Sequence, residues 1–148
     1  MEVIMKKCLK ISLVYAIAAL AGGVFYREFT KFNDYMGATS LGKVHTHLFM
    51  LGMAVFLIAA LFAKDIDLNG QKTFKAFMVV YNIGVPLAAV MMAVRGVTQI
   101  LGTALSKGAD ASISGIAGIG HILTGVGIIL FLVTLLKCAN LRKVSNKN

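Results

Sequence analysis

The sequence predicts an all-α integral membrane protein, a four-helix transmembrane bundle that makes one domain of residues 1–148. Three observations carry this. Hydrophobic residues are 58% of the chain, where a soluble domain carries about 45–50%. Charged residues are 14%, against about 25% in a soluble domain, and they cluster between long uncharged stretches. Four apolar runs are each close to the ~20 residues that cross a ~30 Å hydrocarbon core. A backbone in lipid must satisfy its own N–H and C=O groups, so each run is expected to be a helix.

The first run covers about 8–27 and includes Ile11, Leu13, Val14 and the stretch Ala16 to Phe25. Lys6-Lys7 before it and Ala19-Leu20-Ala21 within it look like a signal peptide with a cleavage site. The run continues through Gly22-Gly23-Val24-Phe25, however, and that length makes it a retained helix. Thr30 to Ser40 is polar and reads as a surface loop. The second run, about 41–63, passes from Leu41 through Val55-Phe56-Leu57-Ile58 to Ala63, and Asn69-Gly70 supplies the turn after it. The third, about 74–95, contains Pro86, which removes one backbone donor and is expected to kink the helix near Asn82 and Gly84. The fourth spans about 113–136, and 142–148 read as a flexible basic tail.

The net charge of +9 would suit a nucleic-acid binder only if Lys and Arg formed a patch on a water-facing surface. Here they flank the apolar runs, so the partner they imply is the lipid bilayer, not nucleic acid. With four spans, both termini and the middle loop share one side. That side holds ten Lys and Arg residues, and the other holds five: Arg27, Lys31, Lys43, Arg95 and Lys107. The positive-inside rule therefore places both termini in the cytoplasm. Cys8 and Cys138 then lie on the reducing side, where a disulfide is not expected.

All three histidines fall within apolar runs, near the outer side. His45 and His47 open the second run, and His121 lies about eight residues into the fourth. Arg95 ends the third run and Arg27 ends the first, on that same side. Ionisable groups inside membrane helices are costly and usually mark function. Neutral imidazoles on two helices can hold a heme iron from both faces, and Arg27 and Arg95 are candidate partners for its propionates. Gly118 and Gly125 lie one turn either side of His121, where they either make a slot or permit close helix packing.

Residues two apart on a helix point about 200° apart, so His45 and His47 cannot both reach one iron. Depth favours His47 as the partner of His121, and small-residue packing favours His45. The His47 face suits either lipid or another subunit, so a homo-oligomer is compatible. A three-histidine zinc or iron site is a rival, with Glu28 as its ready carboxylate. No serine nucleophile motif, P-loop or dinucleotide fingerprint is present.

Several segments together are similar to a known group of proteins. These are Gly23-Val24-Phe25-Tyr26-Arg27-Glu28-Phe29-Thr30-Lys31, His45-Thr46-His47-Leu48 with Leu51-Gly52-Met53, Val94-Arg95-Gly96, and Ser114-Gly115-Ile116-Ala117-Gly118-Ile119-Gly120-His121. Over nearly the whole chain they resemble a family of small bacterial four-span membrane proteins that includes heme-sensing membrane protein A (HsmA). The resemblance implies heme b binding in the cytoplasmic membrane and protection from heme toxicity and oxidative stress, with a possible heme-dependent consumption of reactive oxygen species. Carried over by position, it makes His45, His47 and His121 the candidate iron ligands and Arg27 and Arg95 the candidate propionate partners. A quinol-linked cytochrome b-like protein and a heme or metal transporter are the alternatives.

Overall fold

The computed structural model describes the backbone of residues 1–145 and the side chains of 1–140. It contains four long helices: α1 (Glu2–Phe32), α2 (Leu41–Asp65), α3 (Lys72–Ile100) and α4 (Lys107–Ser145). All four are long and apolar enough to cross a membrane. The protein is thus an all-helical, multi-pass membrane bundle. Residues 146–148 of the expected basic tail, and the side chains of the whole of it, lie outside the described residues; the backbone of 142–145 continues α4.

The helices run beyond the apolar runs that foretell them. α1 starts at Glu2, whose carboxylate pairs with Lys6 one turn on, and α4 starts at Lys107. An apolar run marks the edge of the hydrocarbon, while backbone hydrogen bonding can carry a helix further into the headgroups. α3 continues through Pro86 to Ile100. It ends in a tight turn where Gly102 takes φ +61°, a left-handed conformation that glycine adopts without the Cβ penalty.

α2 is not a uniform α-helix. Residues Leu48–Ala54 form a π-helical stretch, wider than the α-helix on either side. Neighbouring helices bind its carbonyls: the Tyr81 hydroxyl donates to Leu51 O at 2.8 Å and Ser12 Oγ to Met53 O at 2.9 Å. The distortion is therefore held from both sides, by α1 and by α3.

Packing runs in sequence order, α1 on α2, α2 on α3 and α3 on α4, with the first and last contacts about equally extensive and the middle one lighter. The backbones of α1 and α3, and those of α2 and α4, stay apart over most of their length. Each contact sets a glycine against bulk or backbone. Gly52 lies against the Tyr15 ring, Gly96 against Leu41, Gly120 against the backbone of Ala88 and Gly127 against the Tyr81 ring. At the end of the bundle that carries the termini, Phe56, Phe74, Phe77, Tyr81 and Phe131 are all buried. Their rings interlock, with Phe77 and Phe131 centroids 4.9 Å apart and Phe56 and Phe77 5.6 Å apart. Thr134 of α4 donates to Thr73 of α3 at 2.7 Å in the same region.

Glycine substitutions are expected to split in sign. A Cβ at Gly96 would overlap the backbone of Leu41, and overpacking of this kind costs about 1–3 kcal/mol. A Cβ at Gly118 would meet nothing within 4 Å, and an open helical Gly→Ala change gains about 0.5–1 kcal/mol. Thermal melts of the purified protein in detergent should show Gly96→Ala falling and Gly118→Ala level or rising. The reverse order would mean that the helices are not seated as described.

Candidate functional site

α2 and α4, whose backbones stand apart, meet through a pair of imidazoles. The ring centroids of His47 and His121 are 6.1 Å apart, and their planes lie at 84°. Each ring is anchored in the same way. His47 Nδ1 is 2.9 Å from the carbonyl of Lys43, and His121 Nδ1 is 2.8 Å from that of Ala117, each one turn earlier on its own helix. A carbonyl only accepts, so in each neutral ring Nδ1 carries the proton and donates it. Both Nε2 atoms therefore keep their lone pairs. Metal-bound histidines use this tautomer, with the second nitrogen donating to a carbonyl or carboxylate.

The separation suits a shared metal. Two metal–nitrogen bonds of about 2 Å each, plus the two ring radii, place axial ring centroids roughly 6 Å apart. Space beside the pair comes from α4. Gly118 and Gly125 flank His121 by one turn on each side, and a Cβ on either would meet nothing within 4 Å. The glycines of α4 thus divide by face: Gly120 and Gly127 pack against α3, while Gly118 and Gly125 leave the histidine face uncovered. The pair thus offers two imidazole lone pairs beside an uncovered helix face.

His45 is turned elsewhere. Its ring stacks on Tyr26 of α1, with centroids 6.4 Å apart and planes at 16°, and it packs against Gly23. Its Nδ1 is buried with no hydrogen-bond partner among the described residues. The structure therefore brings His47, not His45, to His121. The three-histidine zinc or iron site does not form, since no group of three or more His, Cys, Asp or Glu side chains converges among the described residues. The 200° splay of His45 and His47 is the physical reason.

The two arginines part company. Arg95 is 29% exposed and is held by the first turns of α4: Nη1 lies 3.0 Å from Asp110 Oδ1, and Nη2 donates to Ser114 Oγ at 2.7 Å and to the Asp110 carbonyl at 3.2 Å. Asp110, Ser114, Ala117 and His121 follow one another on one stripe of α4 at helical spacing. Arg95 thus sits about 10 Å along the axis from His121, reckoned over the seven residues from Ser114, with part of its donor set still unused. Arg27 is 80% exposed and lies 3.9 Å from Glu28; among the described residues no hydrogen bond or ion pair ties it to the histidine pair. Sequence reasoning passed over Asp110 and Ser114. Their only signal is that they sit four apart at the start of α4, and their partner is on another helix. Lys43 was also passed over. Besides anchoring His47 through its carbonyl, it is exposed one turn nearer the end of the helix on the same face.

A family described as "Protein of unknown function (DUF2871)" matches residues 5–138, a stretch that takes in most of all four helices. No curated protein and no solved structure matches the chain.

Nitrogen resonances of isotope-labelled histidine in the purified protein should show His47 and His121 as rings protonated at Nδ1. A proton found on Nε2 of either ring would remove the lone pair on which the site depends.

Proposed function

The chain belongs to the DUF2871 family, and from its own side chains we propose that it is a heme-binding membrane protein that captures heme b and thereby protects the cell from heme and oxidative stress. One observation carries the reading: His47 and His121, on two helices that otherwise stand apart, sit with centroids 6.1 Å apart and with matching Nδ1 anchors. Bound heme would supply a redox-active iron. The protein's part is to hold it. His47 and His121 would offer Nε2 from opposite faces, and their carbonyl anchors fix ring orientation and raise ligand basicity. Gly118 and Gly125 would leave room for a flat macrocycle, and Lys43 and the free donors of Arg95 would meet its carboxylates. Cys8 and Cys138 stand in no Cys-x-x-Cys-His motif, so attachment would be non-covalent, as in heme b.

Held by the His47 and His121 side chains, the iron would serve capture and electron exchange. The likeness to the family that includes HsmA supports the same role. The excess of Lys and Arg at the terminal end, ten against five, supports cytoplasmic termini and a histidine pair toward the outer leaflet of a bacterial cytoplasmic membrane.

Protein purified after heme supplementation is expected to show a Soret band and a reduced-minus-oxidised difference spectrum of the two-imidazole, low-spin type. His47→Ala and His121→Ala should each lower heme content at least about tenfold, the equivalent of 1.4 kcal/mol, while His45→Ala keeps the band. No band, or a loss that falls on His45 rather than His47, would end the reading. Orientation is checked separately: a single cysteine placed at Asn33 should react with an impermeant thiol reagent in intact cells, and one placed at Asn69 should not.

A further inference from the structure

We propose a second ligand site, independent of the histidines: the groove between α1 and α3 holds the head of a lipid-soluble p-quinone or quinol at Tyr15 and Asn82. The groove has a volume of about 580 Å³, within the range of roughly 300–1,000 Å³ usual for small-molecule sites. It exists because α1 and α3 both lean on α2 without approaching each other. Val44 and Leu48 of α2 lie at its base, and Ala18, Pro86 and Ala89 line its walls. Its side faces the bilayer.

Such a wall would suit any apolar chain but for three polar groups set into it. The Tyr15 hydroxyl reaches Asn82 Oδ1 only at 3.4 Å, well beyond the ~2.7–2.8 Å of a good O–H···O bond. Asn82 Nδ2 spends one proton on Met78 O at 2.8 Å, and its second has no partner among the described residues. Pro86 has no N–H, so the Asn82 carbonyl lacks the donor that a helix normally supplies four residues on. A phenol, an amide N–H and a backbone carbonyl, all short of partners, therefore meet at one level of a hydrocarbon-facing groove, where unsatisfied groups are expensive.

That set selects the ligand. Tyr15 is thirteen residues from the start of α1 and Asn82 ten from the start of α3, so both lie about 15–20 Å along their helices. This depth is inside the ~30 Å hydrocarbon core, beyond the reach of a charged phospholipid head. Lys10, at the terminal-side mouth of the groove, suits a lipid phosphate or a fatty-acid carboxylate, but a chain hung from it would leave all three polar groups unpaired. An uncharged, flat head that both accepts and donates satisfies them. A quinone carbonyl accepts from Asn82 Nδ2–H or Tyr15 O–H, and a quinol hydroxyl donates to the Asn82 carbonyl, while the apolar tail leaves toward lipid.

The test uses heme-free protein in phosphatidylcholine nanodiscs and a photoreactive azido-quinone with a decyl tail. Labelled peptides should come from α1 around Tyr15 and from α3 around Asn82, and unlabelled decyl-benzoquinone should compete where decylbenzene and decanoate do not. Pro86→Ala restores an N–H to the Asn82 carbonyl without endangering the helix, and should weaken quinol binding about five- to tenfold, the share of one hydrogen bond. Tyr15→Phe keeps the ring against Gly52 and should weaken quinone binding by a similar factor. Label outside the groove, equal competition by decylbenzene or decanoate, or parental affinity in both variants would overturn the proposal. Because no heme is present, failure here leaves the histidine reading standing, and a protein without a Soret band still yields an answer about quinone.

Discussion

The near-contact of α4 with α3 is the constraint from which the rest follows. At Gly84 a Cβ would strike the backbone of Thr124, and at Gly120 that of Ala88. In a bilayer, lipid tails are as apolar as leucine, so helices gain little from merely hiding apolar surface on one another. What places α4 is close backbone approach and the dispersion contacts that come with it. α4 has no comparable packed neighbour; the position of His121 is inherited from these glycines. His47 is placed by a parallel device on α2, with Gly52 under the Tyr15 ring and Leu41 against Gly96. The imidazole pair is thus set by backbone contacts within about two turns of each ring.

Polar satisfaction adds a second layer. A π-helical turn in lipid would leave strained or weakly paired carbonyls exposed, unless other helices supply donors. Here Ser12 and Tyr81 do so from opposite sides, and the distorted stretch begins at the residue after His47. The same hydroxyls tie α1 and α3 to α2. Removing either would therefore act on the helix that carries His45 and His47 before it acted on any other part of the bundle. Arg95 plays a comparable part at the far end: its bonds to Asp110 and Ser114 close the α3–α4 hairpin on the very stripe that leads to His121.

The four helices were legible because hydrocarbon thickness leaves a direct mark on hydropathy. Their ends were less so, because hydrogen bonding carries α1 back to Glu2 and α4 back to Lys107, where apolarity has already stopped. The splay of His45 and His47 was legible from helical geometry alone, and the two rings do meet different neighbours, Tyr26 and His121. Which of the two meets His121 was not, since it depends on where α1 and α4 stand around α2. Glycine composition hid a similar division: Gly118 and Gly120 look alike in the sequence, yet one faces open space and the other a backbone. The Arg95–Asp110 pair spans the α3–α4 turn, and no periodicity within either helix announces it. The π-helical stretch has no sequence signature in Leu48–Ala54 beyond Gly52.

The two ligand readings share a common physical origin in how unevenly the bundle is closed. Around the terminal end, interlocked rings of Phe56, Phe77 and Phe131 hold α2, α3 and α4 together. Beside that cluster α2 stands as a central post, with the histidine pair between it and α4 and the Tyr15–Asn82 groove between α1 and α3. Where neighbouring helices are spaced by side chains instead of close backbone contact, the bundle opens sideways to the membrane. A molecule dissolved in the bilayer can reach either place without crossing water, while a hydrophilic one cannot. Heme and quinone both partition into lipid. On these two readings the architecture would select ligands first by solubility, and only then by the imidazoles or the amide inside.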